Sequence, residues 1–258
     1  MDTQLARQPW SKVREILKRE GVKDVEPTLT CLRRYAELLI QWNRSVSNLI
    51  SKNDEERLVE AHLLPSIEVV GWLKSFNLQR WCDLGSGGGL PALPLAICGI
   101  GVEWDLVESR RTKTLFLQRA VGELELGGIR VLAARIEDLV ADLGGATGAV
   151  EAAGDSEWVP EEGELEESDL EEGDAPRFSL RAPYDGFTSR ATMALAPTLE
   201  FAAPIVRPAG RAFLWKGSKL DAEAAESTSW QSGWRRAEVR PLAVEHSVVA
   251  EFERVEAP

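Results

Sequence analysis

Apolar side chains recur along the chain at two different spacings, and the spacing changes near residue 80. Before that point they recur every three or four residues, which is the period of an amphipathic helix. One such stripe consists of Leu32, Tyr35, Ala36, Leu39 and Trp42. After it, short apolar runs alternate with amphipathic stretches, a pattern typical of strands and helices around a parallel sheet. The sequence therefore predicts an N-terminal helical region over 1–75 and an α/β domain over 76–258.

The same pattern predicts the individual elements. In the N-terminal region, helices cover 3–20, 28–46 and 54–64, with Asp54 as the N-cap of the third and with Pro65 opening a further helix. The predicted strands are 81–84, 102–107, 129–133, 184–189, 211–215, 234–241 and 246–254. The helices between them are 91–98, 112–124, 136–143, 195–206 and 220–229. Because the last two strands form a hairpin, we predict a mostly parallel, doubly wound seven-stranded sheet with an antiparallel edge.

One segment interrupts this alternation. Residues 144–178 are rich in Gly, Ala and acidic residues and contain too few apolar side chains to fold alone. The chain has 42 acidic and 30 basic residues, and twelve of the acidic ones lie within 151–174, where there is no Lys or Arg. The net charge of −12 therefore belongs to this segment. We interpret 144–178 as a disordered, solvated insertion; the alternative is that it competes with RNA for a basic face.

Composition narrows the class of protein. No apolar run approaches the roughly 20 residues of a membrane-spanning helix, and the first 19 residues lack the apolar stretch of a secretory signal. The three cysteines, Cys31, Cys82 and Cys98, form no Cys-x-x-Cys pair, which excludes a disulfide framework and a zinc site. We expect a cytoplasmic, monomeric protein that contacts no membrane and no metal.

The stretch Asp83-Leu-Gly-Ser-Gly-Gly-Gly89 joins a predicted strand to a predicted helix. Free backbone N–H groups point outward at such a junction, and glycines let a ligand approach them. A dinucleotide fingerprint requires Gly-x-Gly-x-x-Gly, but Leu90 stands at the sixth position. The spacing of Gly85, Gly87 and Gly89 is instead that of S-adenosylmethionine-dependent methyltransferases.

Two further positions fit a nucleotide-like cofactor. Glu108 ends the second predicted strand, where an acid holds both ribose hydroxyls; a dehydrogenase uses an acid in the same way, so Glu108 does not discriminate between the two classes. Ile136 and Glu137 follow the third strand, where an apolar side chain covers the adenine and a carboxylate addresses its edge. The alternative for Glu137 is an ordinary acidic residue in the first turn of a helix.

Several segments together resemble one family, the bacterial small-subunit rRNA guanine-N7-methyltransferases (RsmG, also called GidB). The matching segments are Trp42-Asn43, Asn48-Leu49, His62-Leu-Leu, Asp83 to Ala96, Leu106-Val-Glu-Ser, Ala134-Arg-Ile-Glu-Asp-Leu, Thr188-Ser-Arg-Ala and Leu214-Trp-Lys-Gly. They occur in the family's order. The resemblance implies a class I methyltransferase (Rossmann-like) fold and methyl transfer from S-adenosylmethionine to the N7 of a guanine in 16S rRNA of the small ribosomal subunit.

The resemblance also implies roles for individual residues. The positions that match the family's cofactor site are Gly85, Leu90, Ile136, Glu137 and Arg190. The positions expected to face the active site or RNA are Asn48, His62, Arg135, Arg190 and Lys216, and we add Arg110, Arg111 and Lys113 as RNA contacts. The alternatives are surface charges or helix caps for the cations and a packed imidazole for His62.

The sequence departs from the family's pattern at a few positions. Pro65 stands where the family has the Asp of a His-x-x-Asp-Ser motif, and Thr112 stands where it has a Lys. Both departures lie on the side expected to meet RNA. They keep two alternatives open: a small-molecule methyltransferase of the same fold, and a relative that binds cofactor or ribosome without catalysis.

Overall fold

A computed structural model describes residues 3–145, 179–190 and 192–256. Within this part of the chain, seven strands form one sheet in the order β3-β2-β1-β4-β5-β7-β6. The strands are β1 Arg80–Leu84, β2 Glu103–Glu108, β3 Ile129–Ala133, β4 Tyr184–Arg190, β5 Val206–Lys216, β6 Trp234–Pro241 and β7 Val248–Arg254. β1 to β5 pair in parallel, whereas β7 is antiparallel to β5 and β6. The predicted seven-stranded sheet with an antiparallel edge is confirmed.

The helices cover both faces of this sheet. Those that precede the sheet are α1 Thr3–Ala6, α2 Trp10–Arg19, α3 Val25–Ser45, α4 Lys52–Glu55, a π-helix Val59–Leu63, α5 Leu64–Ile67 and α6 Val70–Lys74. Those between or after its strands are α7 Ala92–Ile97, α8 Arg111–Glu123, α9 Ile136–Gly145, α10 Leu195–Ala202, α11 Leu220–Glu226 and a 3₁₀ helix Ser229–Ser232. No helix in these described ranges is long and apolar enough to cross a membrane.

Alternate residues of each strand supply two separate cores, as the two-residue period of a strand requires. Trp81, Trp104 and Phe213 face the core that the N-terminal helices share with α7 and α8. Cys82 and Leu214, one residue away along their strands, face the core under α9, α10 and α11. The N-terminal helices therefore cover one face of the sheet directly, while the division into 1–75 and 76–258 stays a prediction.

Several predicted boundaries are wrong. The predicted helix 54–64 is divided into α4 Lys52–Glu55 and the π-helix Val59–Leu63, and the predicted helix 220–229 ends at Glu226. The first helix is interrupted, because α1 ends at Ala6 and α2 begins only after Pro9. The N-cap before α4 is Ser51, whose hydroxyl accepts the N–H of Asp54 at 3.2 Å. α10 ends at Ala202 rather than 206, since Pro204 has no backbone N–H with which to continue the helical hydrogen bonds; the following residues enter β5 five positions earlier than predicted.

The predicted acidic insertion lies almost wholly outside the described residues. Where the described chain resumes at Ser179, a buried carboxylate fixes it: Asp105 on β2 forms a two-bond ion pair with Arg130 at 2.8 and 2.6 Å. The same carboxylate accepts the hydroxyl of Tyr184 at 2.5 Å and the backbone N–H of Arg181 at 3.0 Å. These contacts tie the start of β4 to β2, which lies on the other side of β1 in the sheet.

The close approach of Gly186 on β4 to the Trp81 ring leads to a prediction about the stability of the fold. A Cβ at Gly186 would lie 2.4 Å from the Trp81 indole, which is itself stacked on Trp104 at 5.1 Å. We expect Gly186→Ala to lower the free energy of unfolding by about 1–3 kcal/mol through overpacking. The matched control is Gly122→Ala on α8, where a Cβ meets nothing within 4 Å and a gain of up to about 1 kcal/mol is expected. Urea unfolding measures both, and equal effects would contradict the packing account.

Candidate active site

The glycine turn after β1 is held from the sheet side by β2. Gly85, Gly87 and Gly89 have φ of +69°, +55° and +82°, the left-handed region that favours glycine. The N–H groups of Gly85 and Ser86 donate to the Val107 carbonyl at 2.9 and 3.1 Å. The lack of a side chain matters for different reasons at two of these glycines. A Cβ at Gly85 would lie 2.4 Å from Thr192, whereas a Cβ at Gly87 would meet nothing nearer than 3.8 Å. Gly87 is thus the point where the turn is open to a ligand.

Glu108 is fixed beside this turn. Its carboxylate accepts the N–H of Gly87 at 2.9 Å through one oxygen and the N–H of Arg110 at 2.9 Å through the other. The residue is 7% exposed. Each oxygen retains a lone pair, so the carboxylate is oriented by the backbone and still able to accept hydroxyl groups.

Around the turn lies a cavity of about 590 Å³, which we call the glycine-turn cavity. It opens at the carboxyl ends of β1, β2, β3 and β4, the position where open α/β sheets bind ligands. The predicted residues that line it are His62, Gly85, Gly87, Leu90, Glu108, Arg110, Lys113, Arg135, Ile136, Glu137 and Arg190. With four cationic and two acidic side chains among them, the lining favours an anionic ligand group.

Three predicted polar residues do not reach this cavity. Asn48 is exposed beside Asn43 on the opposite side of the loop, although its neighbours Leu49 and Ile50 do line the cavity. Arg111 begins α8 and points to solvent. Lys216 is held elsewhere: its ammonium donates to the Met193 carbonyl at 2.9 Å and to Glu223 at 2.8 Å. Gly89, a predicted cofactor-binding glycine, does not line the cavity either, because its Cα faces Leu93.

Asn43 explains why the Asn48 loop has its shape. Its side-chain oxygen accepts the N–H groups of Leu49 and Ile50 at 2.6 and 2.9 Å, and its amide donates to Glu55 at 2.7 Å. Asn43 is 5% exposed. The matching Trp42-Asn43 segment therefore positions the apolar wall of the cavity, a role that the sequence pattern alone did not assign.

Arg190, at the end of β4, is a half-buried cation held by the π-helix. Its guanidinium donates to the carbonyls of Ala61 and His62 at 3.0 and 3.4 Å, and it lies 3.1 Å from Nδ1 of His62. Within residues 3–145, 179–190 and 192–256 no carboxylate forms an ion pair with it. Burial lowers the pKa of Arg190 from its ordinary value, although a guanidinium stays charged in proteins. A half-buried positive charge without a carboxylate counter-ion among the described residues favours an anionic ligand in the cavity.

His62 orients this guanidinium as a neutral imidazole. Burial, and then the charge of Arg190, lower the pKa of His62 to about 4. Because Arg190 donates to Nδ1, the ring proton lies on Nε2, which is 3.3 Å from a carboxylate oxygen of Asp54 without hydrogen-bond alignment. Asp54 on α4 thus supplies a carboxylate beside His62. In this chain Pro65 stands where the His-x-x-Asp-Ser motif has its own carboxylate.

Two buried residues near the turn were missed by the sequence analysis. Asp83, before the turn, accepts the Thr188 hydroxyl at 2.6 Å through one oxygen, while its other oxygen has no partner among the described residues. Burial raises the pKa of Asp83 to about 6. Tyr35 on α3 donates its hydroxyl to the Gly88 carbonyl at 2.6 Å. The sequence signals for these two residues are weak: Asp83 lies beside the Gly-x-Gly-x-Gly motif, and Tyr35 belongs to the apolar stripe of α3.

The fold and this cavity together define the class of the protein. The chain is similar to magnesium protoporphyrin IX methyltransferase from Synechocystis PCC 6803, with a TM-score of 0.52 and 15% identity over 83% of this chain and 90% of that one. At such identity the likeness shows the fold, which is that of class I methyltransferases.

Sequence comparison then gives the family. A profile described as GidB, rRNA small subunit methyltransferase G, matches residues 28–147. Ribosomal RNA small subunit methyltransferase G of Xanthomonas euvesicatoria is 32% identical over 213 residues, 83% of this chain and 79% of that protein. The chain belongs to this family. Its match to the Neisseria meningitidis serogroup C relative is 38% identical but covers 45% of this chain and 55% of the relative, and other Neisseria matches cover 62% of theirs.

The contact of Tyr35 with the turn makes a binding prediction. We expect Tyr35→Phe to weaken binding of S-adenosylhomocysteine about fivefold, because the loss of one buried hydrogen bond of about 1 kcal/mol frees the Gly88 carbonyl. The matched control is Tyr184→Phe, which loses a buried hydroxyl contact with Asp105 away from the cavity. Isothermal titration calorimetry measures the affinity of both variants for S-adenosylhomocysteine. Unchanged affinity in Tyr35→Phe, or an equal loss in the control, would contradict a role of Tyr35 in supporting the glycine turn.

The buried imidazole makes a second prediction, on pH. The pKa of His62 falls from 6.5 to about 4 on folding, so between these values the unfolded chain binds more protons and stability decreases as pH falls. Relative to His62→Gln, the unchanged protein should lose about 2 kcal/mol of unfolding free energy between pH 7 and pH 5. Asp83 acts with the opposite sign but is present in both proteins and cancels in the difference. Urea unfolding at the two pH values tests this, and parallel pH profiles would show that His62 is not buried neutral.

Proposed function

We propose that this protein transfers the methyl group of S-adenosylmethionine to the N7 of a guanine in 16S rRNA of the small ribosomal subunit. The observation that carries the proposal is the glycine-turn cavity itself, found in a member of the rRNA small subunit methyltransferase G family. Three chemically different groups meet there: a fixed carboxylate, a buried apolar side chain and an unpaired guanidinium. These three groups match the ribose, the base and the carboxylate of a nucleoside that also carries an amino-acid moiety.

The residues fit the cofactor group by group. Glu108 lines the cavity, keeps a lone pair on each carboxylate oxygen, and would accept the ribose hydroxyls. Ile136, 3% exposed at the start of α9, offers an apolar surface to the adenine, with Glu137 next to it. Arg190 is a half-buried cation without a carboxylate partner among the described residues and would bind the carboxylate of the amino-acid part. Gly87 leaves the turn open, since a Cβ there meets nothing nearer than 3.8 Å.

The proposed chemistry needs little from the protein beyond alignment. When bound, the cofactor supplies an electrophilic methyl group on a positively charged sulfur. N7 of guanine has a lone pair and no proton, so a new N–C bond forms as the S–C bond breaks and the positive charge moves to the base. No general base is required, and proximity supplies most of the effect. Arg190 and His62 act here by orienting groups at the cavity wall.

The charges around the cavity support RNA as the partner. Arg110 and Arg135 are exposed, and Lys113 is half-buried with its ammonium 3.9 Å from the Cβ position of Gly87. These cations surround the carboxyl ends of β2 and β3, where phosphate contacts would position a strand without reading its sequence. Arg111 adds to the same side from the first residue of α8. Lys216 is committed to Glu223 and is better understood as support for the loop after β4.

We further propose that 1–75 act as a helical cover of the methyltransferase domain 76–258, with α3 contacting the glycine turn. The 16S rRNA partner places this activity in the cytoplasm, and nothing in the proposed chemistry requires more than one copy of the chain. Among the described residues, no group of three or more His, Cys, Asp or Glu side chains is arranged to hold a metal.

Methyl transfer from labelled S-adenosylmethionine to isolated small subunits and to 16S rRNA tests the proposal. We expect labelled N7-methylguanine at one position, and a loss of about ten- to a hundredfold in Arg190→Ala, since a hydrogen bond to a charged group is worth about 1.5–3 kcal/mol. The control is Arg111→Ala, which lies outside the cavity and should retain cofactor affinity. Label in a metabolite but not RNA would identify a small-molecule methyltransferase, and cofactor binding without any transfer would identify a non-catalytic relative.

A further inference from the structure

A second, smaller cavity of about 170 Å³ shares a wall with the glycine-turn cavity. Arg190 lines both cavities, so the two meet at its side chain. Its other lining comes from three parts of the chain that are distant in sequence: the π-helix and α5, the end of β5, and the β6–β7 hairpin. The residues used below are Pro65, Trp215, Gly217, Leu242 and Ser247.

The walls of this smaller cavity are held by hydrogen bonds. The indole N–H of Trp215 donates to the Pro65 carbonyl at 2.8 Å, which fixes the ring between β5 and the N-terminal helices. On the hairpin, the N–H of Leu242 donates to the Ser247 carbonyl at 2.9 Å. Glu68 accepts the N–H of Ala243 at 2.9 Å and ties the hairpin to the end of α5. The cavity is therefore a built feature of the fold.

The chemistry of the lining fits one planar base. An indole ring, a proline and aliphatic side chains offer apolar surface, while the guanidinium of Arg190 and the hydroxyl of Ser247 offer hydrogen-bond donors. Lys216 also lines this cavity, with its ammonium bound to the Met193 carbonyl and to Glu223. The volume is comparable to that of a single purine ring and is too small for a nucleotide. RNA-binding proteins hold unstacked bases in this way, with aromatic faces and a few polar groups.

We propose that the smaller cavity receives the acceptor guanine, extruded from its stack, beside the methyl donor in the glycine-turn cavity. This inference rests on the proposed function and deepens it by naming the site of the acceptor. Arg190 lies where the two cavities meet, so it binds the carboxylate of the cofactor and donates to the guanine carbonyl oxygen while N7 faces the methyl group. N7 then attacks the methyl carbon as the S–C bond breaks, with no proton to remove. Enzymes that react with a single base often extrude it into a pocket of this kind.

Gly217 gives a way to fill the cavity with little strain. A Cβ at this position would meet only the His246 carbonyl oxygen, at 3.8 Å, on the hairpin whose next residue lines the cavity. Gly217→Ala should be accommodated, whereas Gly217→Phe should occupy the space of the base. We expect Gly217→Phe to lower methyl transfer to 16S rRNA by about a hundredfold, because the acceptor is displaced from the donor.

Affinity for S-adenosylhomocysteine should stay within about twofold in the same variant, since the filled space is not the cofactor cavity. Gly122→Phe is the matched control: the same side chain placed on α8 in open space, with transfer and binding both unchanged. Ser247→Phe fills the cavity from the hairpin and should repeat the result. If either filled variant binds S-adenosylhomocysteine normally and methylates RNA at the unchanged rate, the inference is overturned.

Cross-linking of the unchanged protein tests the same inference without any variant. Small-subunit RNA containing 6-thioguanosine is irradiated with the protein, and the cross-links are mapped by mass spectrometry. We expect the guanosine that receives the methyl group to be cross-linked to a peptide carrying Trp215 or Ser247. Attachment of that nucleotide only to other segments would contradict the assignment. If the unchanged protein transfers no methyl group to 16S rRNA, the proposed function fails and this site falls with it; active protein with the wrong cross-links rejects the site alone.

Discussion

The site depends on the glycine turn being held from two sides. Glu108 accepts the Gly87 N–H from the sheet, and Tyr35 donates to the Gly88 carbonyl from the N-terminal helices. Left-handed glycines are entropically costly to order, so a turn with three of them needs such restraints to present one shape to a ligand. The N-terminal region therefore helps to shape the glycine-turn cavity, and its packing on the sheet face supports the cofactor site that we propose there.

Arg190 sets the electrostatics of the same region. A guanidinium that is partly buried without a carboxylate partner among the described residues leaves part of its desolvation cost uncompensated. The π-helix reduces this cost, because its carbonyls at 61 and 62 accept hydrogen bonds from the cation. π-helical turns are uncommon and often lie at functional sites. An anionic ligand group would complete the compensation, which couples ligand binding to the geometry of His62 and Asp54.

Local sequence patterns were enough for the strands, most helices and the glycine turn, because each depends on a period or on a few neighbouring residues. Placement of Glu108, Ile136 and Arg190 also followed, since the carboxyl ends of parallel strands meet at one edge. Lys216 and Asn48 could not be placed in this way. The partner of Lys216 is Glu223 on α11, and the cavity-forming role near Asn48 belongs to Asn43. The contact of Tyr35 with Gly88 spans 53 residues, a separation at which no periodicity carries information.

A crystal structure of the protein with S-adenosylhomocysteine tests the central claim most directly. The account predicts the ribose hydroxyls on Glu108, the adenine against Ile136, and the amino-acid carboxylate within hydrogen-bond distance of Arg190, with the smaller cavity beyond Arg190 left free. A ligand bound elsewhere, or one whose carboxylate does not contact Arg190 while the guanidinium keeps only its contacts to the π-helix, would contradict it.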